Sequence, residues 1–124
     1  MPWSLRYLPE SHAVETVYAG ALAAPELRAA VTATLDLALR SGTVAFLGDC
    51  RTLEGGHSVF DLYELAKVVA TLPDRDLFRE AILIAPDATS RADVEFWETT
   101  CANRGLRVRL FERRDEALAW LALP

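Results

Sequence analysis

Residues 3–8 and 13–19 alternate in side-chain character, and Pro9-Glu10-Ser11-His12 lies between them, so the chain is expected to open with an antiparallel hairpin. From Pro25 the period changes. Leu27, Ala30, Val31, Thr34, Leu35, Ala38 and Leu39 recur at helical spacing, and Gly42 stands where a C-terminal cap is needed. Residues 43–47 then form a short unbroken apolar run, the pattern of a strand covered on both faces, which Gly48-Asp49 ends. A polar loop, 48–58, leads to Ser58-x-x-Asp61, a capping-box pattern ahead of Leu62, Leu65, Ala66, Val69 and Leu72, and Pro73 stops this second helix.

The second half repeats the scheme. Ala81-Ile82-Leu83-Ile84-Ala85 reads as another buried strand, and Ser90-x-x-Asp93 as a second capping box leading to Val94, Trp97 and Cys101 before Gly105. Residues 106–110 alternate strictly, and 115–123 predict a short amphipathic helix around Ala117, Leu118 and Leu121. The predicted order is ββαβαβαβα, an α/β chain. Strands separated by helices of this length imply right-handed crossovers, hence an open, mixed, mostly parallel sheet flanked by helices. Ligand sites in such sheets lie beyond the carboxyl ends of the strands, which directs attention to residues 48–58 and 86–90.

Bulk properties narrow the classes. A chain of 124 residues, 52% hydrophobic and 25% charged, is expected to form a single domain, 1–124, with a packed core. No apolar run reaches the roughly 18 residues of a membrane span, and the N-terminus lacks the pattern of a secretory signal. A cytoplasmic protein is expected. Its two cysteines, Cys50 and Cys101, make no disulfide framework and are expected to be reduced. A net charge of −5 argues against a nucleic-acid footprint. The exception is local: five of the twelve arginines fall between Arg104 and Arg114, where they either bind an acidic partner or guard a sheet edge.

The loop 48–58 carries the candidate chemistry. Cys50 or Ser58 with His57 has the residue types of a small hydrolase, but Cys50 at a strand end equally suits a small buried thiol. His12 and His57 are isolated and the cysteines far apart, so no metal site is expected, and Gly55-Gly56 lacks the further residues of a phosphate loop. Ser58 suits a helix cap, and the same position stabilises a phosphate through the free amides and the helix dipole. Phe60, Tyr63 and Phe96 are either core or the lining of an apolar groove beside the second and third helices, fit for a lipid-like ligand or a partner.

The strand Val44-Ala45-Phe46-Leu47 closed by Asp49, the helix opening at Ser58, and the ending Val108-Arg109-Leu110-Phe111 then Glu116-Ala117-Leu118-Ala119-Trp120-Leu121 resemble the STAS family, in particular its SpoIIAA-like branch of small bacterial proteins. The likeness extends over nearly the whole chain. It implies a four- or five-stranded mixed sheet with helices, no cofactor, and work done by binding rather than catalysis. In anti-sigma factor antagonists of this fold, a Ser in an Asp-Ser-Ser-Gly type motif at the start of the second helix is phosphorylated to control partner binding. Ser58 occupies a comparable place, nine residues after Asp49, although Gly56-His57-Ser58-Val59 lacks the Asp before and the Gly after. The expectation is a regulatory or protein-interaction domain using Asp49, His57, Ser58, Phe60 and Tyr63, with Ser58 as the phosphorylation candidate and a protein, a small apolar ligand or a second copy in a homodimer as partner.

Overall fold

The computed structural model describes residues 2–124. Strands β1 (Trp3–Leu8), β2 (Ala13–Ala21), β3 (Ala45–Gly55), β4 (Arg79–Leu83) and β5 (Arg107–Phe111) form one sheet in the order β1-β2-β3-β4-β5. The β1–β2 hairpin is antiparallel and every other pairing is parallel. Helices α1 (Ala24–Ser41), α2 (Val59–Val69) and α3 (Arg91–Ala102) make the crossovers, and α4 (Arg114–Leu121) follows β5. The predicted order of elements and the mixed, mostly parallel sheet are both present.

When each parallel neighbour is also the next strand in sequence, crossovers of one hand must all lie on one face. Helices α1, α2 and α3 accordingly share a face, packing Leu27, Val31, Leu62, Leu65 and Val94 onto Val14, Phe46 and Ile82. Helix α4 covers the other face alone, with Ala117 and Leu121 against Leu47, Ala81 and Leu83. The molecule is thus layered helix, sheet, helix, with the thicker core under α1–α3. Among the described residues no helix is long and apolar enough to cross a membrane.

The sequence pattern misleads most at β3. The strand does not stop at Leu47: it runs on through the expected polar loop as far as Gly55. Beyond Asp49 it has left β4 and pairs only with β2, and the register slips there, Val17 facing Asp49 but Ala19 facing Thr52, then Gly20 facing Leu53 but Ala21 facing Gly55. Each slip places one extra residue on β3, so alternation breaks and the segment reads as loop. Similarly β4 begins at Arg79 rather than Ala81, because the charged pair Arg79-Glu80 is in the sheet.

Both ends of α1 follow the sequence: Pro25 lies in its first turn, and Gly42 ends it in the left-handed conformation at φ 70°. The capping box at Ser58 forms, with the Asp61 amide donating to Ser58 Oγ at 3.2 Å and the Ser58 amide donating to Asp61 Oδ2 at 2.8 Å. The one expected at Ser90 does not. Ser90 Oγ is buried without a partner, and Asp93 is turned towards His57.

Candidate functional site

Two features meet at the carboxyl end of the sheet. The first is the rim, where the chain leaves β3. Gly56 has φ +98°, and a Cβ there would stand 2.7 Å from the Leu22 amide nitrogen, so the backbones after β2 and β3 approach as closely as only glycine permits. The Leu22 amide donates to Gly55 O at 2.8 Å across this junction. His57 follows with its side chain 1% exposed. Its Nδ1 lies 3.2 Å from Leu22 O, an acceptor only, so Nδ1 carries the proton and Nε2 faces Asp93 Oδ2 at 3.9 Å. Next comes Ser58, exposed and engaged as the α2 cap.

The second feature is a cavity of about 80 Å³ behind this rim, between the sheet and α1–α3. Leu62, Leu65 and Val69 of α2 form one wall, Leu27 and Val31 of α1 another, and Val94 and Trp97 of α3 a third. The sheet closes it with Phe46 and Ile82, and polar atoms come from few residues, among them Tyr18, Cys50, His57 and Glu80. Among the described residues no Lys or Arg lines it.

Glu80 stands in the row of Ile82 and Ile84 on the helix-covered face of β4, so its carboxyl enters the cavity. Trp97 Nε1–H donates to Oε1 at 2.7 Å. Oε2 lies 3.2 Å from where a Cβ on Gly48 would sit, so the missing side chain on β3 makes the room that the carboxyl occupies. Burial raises this carboxyl to about 7, opposed in part by the Trp97 hydrogen bond. Burial first, and then the charge of Glu80, also raises the Tyr18 phenol and the Cys50 thiol above their ordinary values.

The residues singled out from the sequence separate into three places. His57 and Cys50 reach the cavity. Asp49 lies on the opposite, α4-covered face of β3, where Arg51 grips it through Nε at 3.0 Å and Nη2 at 2.8 Å. Burial would raise Asp49, but the hydrogen bonds from Arg51 outweigh it and hold the carboxyl low. Ser58, Phe60 and Tyr63 sit on the outer surface at the start of α2, with Phe60 66% and Tyr63 39% exposed, and Arg104 lies 5.0 Å over the Tyr63 ring. Phe60 and Tyr63 therefore do not line the space beneath α2. As for a nucleophilic pair, His57 spends Nδ1 on Leu22 O, and the Cys50 thiol is shifted away from the thiolate that attack requires.

The arginine cluster also disperses. Arg113 pairs with Asp115 at 2.8 Å and Arg107 donates to Asp76 O at 3.4 Å. Arg114 crosses to Glu15 on β2. Among the described residues no group of three or more His, Cys, Asp or Glu side chains is placed to hold a metal ion. Glu80 and Trp97 were missed as a pair, although a signal existed: counted back by twos from Ile84 and Ile82, Glu80 falls on the covered face.

A five-stranded sheet of this order, with three helices on one face and one on the other, is the SpoIIAA-like α/β fold. Among solved structures, the chain is similar to an uncharacterised protein of the DUF3478 family from Shewanella loihica PV-4, which has that fold, with a TM-score of 0.61 and 22% identity over 96% of this chain and 91% of that one. No protein-family model and no curated protein matches the sequence.

Proposed function

We propose that this chain is a non-enzymatic binding domain of the cytoplasm, whose ligand is a small, largely apolar molecule held between the sheet and helices α1–α3. The cavity carries this reading. Protein interiors are close-packed, and an apolar-walled space of about 80 Å³ costs roughly 2 kcal/mol relative to close packing, at about 24 cal/mol per Å³. A ligand that fills it recovers that cost and stabilises the fold in proportion to its occupancy. Native mass spectrometry after gentle purification tests the reading: a co-purifying small molecule is expected, lost when Leu65→Trp fills the space. Repeated absence of any bound molecule, together with no rise in melting temperature on adding apolar fragments, would reject it.

A regulatory, protein-interaction role of the STAS kind has its own support in Ser58, Phe60 and Tyr63. An exposed hydroxyl at the helix start adjoins two exposed aromatic rings, so a phosphate on Ser58 would alter the charge beside an apolar surface that a partner protein covers. Helix α2 then has two working faces, one towards the ligand through Leu62 and Leu65 and one towards the partner. Capture of the same protein from cell lysate by native chain but not by Phe60→Asp supports this role, and capture unaffected by that change removes its basis.

A further inference from the structure

We infer that Glu80 is the polar anchor of the cavity and selects ligands that end in a neutral hydrogen-bond acceptor, such as a ketone, ester or amide oxygen, over ligands that end in a carboxylate or an amine. This rests on the cavity being a ligand site. One carboxyl oxygen is committed, since Trp97 donates to Oε1. The other has no hydrogen-bond partner among the described residues and stands over Gly48 at the cavity wall, where a side chain on β3 would otherwise exclude it.

Charge decides between ligand classes. A carboxylate ligand would have to leave water for a lining with no Lys or Arg, beside Asp93 at the rim, and above about pH 7 would also meet ionised Glu80. An amine would pair with an ionised Glu80, but both charges must first leave water, and the surrounding Leu and Val side chains offer no further hydrogen bonds to repay that. A neutral acceptor avoids both costs. It takes the proton of un-ionised Glu80, and its apolar body meets the helix walls. Burial favours that protonated state, and the groups packed around Glu80 bring no cation to oppose it. Tyr18 on β2, Cys50 on β3 and Cys101 on α3 are themselves kept protonated by burial. Helices α1 and α2 bring no ionisable group to the cavity, β5 brings Val108 and Leu110 to the core, and Asp93 and His57 face each other at the rim.

Four ring-matched probes test this on the full chain: cyclohexanone, methylcyclohexane, cyclohexylamine and cyclohexanecarboxylate, with affinity from calorimetry and contact from the Trp97 indole N–H resonance. Cyclohexanone is expected to bind roughly fivefold more tightly than methylcyclohexane, the contribution of one hydrogen bond. That preference holds below about pH 7 and fades above it as Glu80 ionises. Glu80→Gln keeps a donor and is expected to retain the preference at both pH values. Glu80→Leu is expected to lose it while still binding methylcyclohexane. Equal affinity of the native chain for ketone and alkane overturns the inference and leaves the cavity reading standing. Tightest binding by the amine, growing above about pH 7, or by the carboxylate, overturns it likewise. If neither the native chain nor Glu80→Leu binds any probe, the cavity reading falls and the inference with it.

Discussion

The two faces of the sheet bury the same chemical group in opposite ways. Under α4, Glu15 is 3% exposed and is held by Arg6 Nε at 2.8 Å and by Arg114, which reaches it from the start of α4. Under α1–α3, Glu80 is half-buried beside the cavity and has one hydrogen bond from an indole and no cation. Burial raises both carboxyls. At Glu15 the hydrogen bonds from Arg114 and Arg6 overcome it and the carboxyl stays below its ordinary range; at Glu80 nothing does, and it rises to about 7. A buried carboxylate with its charge satisfied serves as a fastener between β1, β2 and α4, whereas a half-buried carboxyl left partly unsatisfied is available to something else.

The sharpest way to break the contrast is to make Glu15 resemble Glu80. Arg6→Met with Arg114→Met leaves the Glu15 carboxylate buried without a partner, and a loss of about 3 kcal/mol or more is expected from urea unfolding at neutral pH. Either change alone is expected to cost less, since the remaining arginine still reaches the carboxylate. A loss below about 1 kcal/mol for the double variant would show that water reaches Glu15.

A middling effect is expected from pH. Glu80 binds its proton more tightly folded, at about 7, than unfolded, near 4.5, so its contribution to stability is fully present below pH 4.5 and lost as pH rises through about 7. Glu15 and Asp49, with lowered folded values, contribute stability present above their ordinary values of 4.5 and 3.8 and lost as pH falls below them. Glu80→Leu is therefore expected to remove a decline of about 1–3 kcal/mol between those limits and to leave the acid limb unchanged. Urea midpoints measured across the range check this, and an unaltered decline in the variant would assign it elsewhere.

The smallest effect sharpens the comparison by lying outside it. Ser58→Ala removes the α2 cap at a cost of about 1 kcal/mol, equal at every pH where both carboxyl limbs are flat. A thermal melt is sufficient to detect it.

The sequence disclosed the fold better than the site, for reasons that individual residues make plain. The opening hairpin, the ends of α1 at Pro25 and Gly42, and the Ser58–Asp61 cap are local signals, each settled within a few residues. The outer half of β3 was hidden because its two extra residues destroy the period of two by which a strand is recognised. The start of β4 was hidden because Arg79-Glu80 has the composition of a loop, while its placement depends on distant partners: Arg79 donates to the carbonyl of Trp120 at 3.2 Å, and Glu80 accepts from Trp97. The cavity had no local signature, since its walls come from three helices and three strands whose relative spacing no short window contains. The polar residues that drew attention in the sequence proved to be on different faces, Asp49 on one and His57 on the other.

The order β1-β2-β3-β4-β5 also bears on how the chain reaches its native state. No strand has to be threaded between two already paired, so each parallel ladder costs one modest loop closure over a single intervening helix and the β1–β2 ladder only a short turn. Such a sheet can grow outward from its central strands by successive additions, with β1 and β5 joining last. Exchange of backbone amides in the native state is then expected to be slowest in β3 and β4 and fastest at the two outer strands.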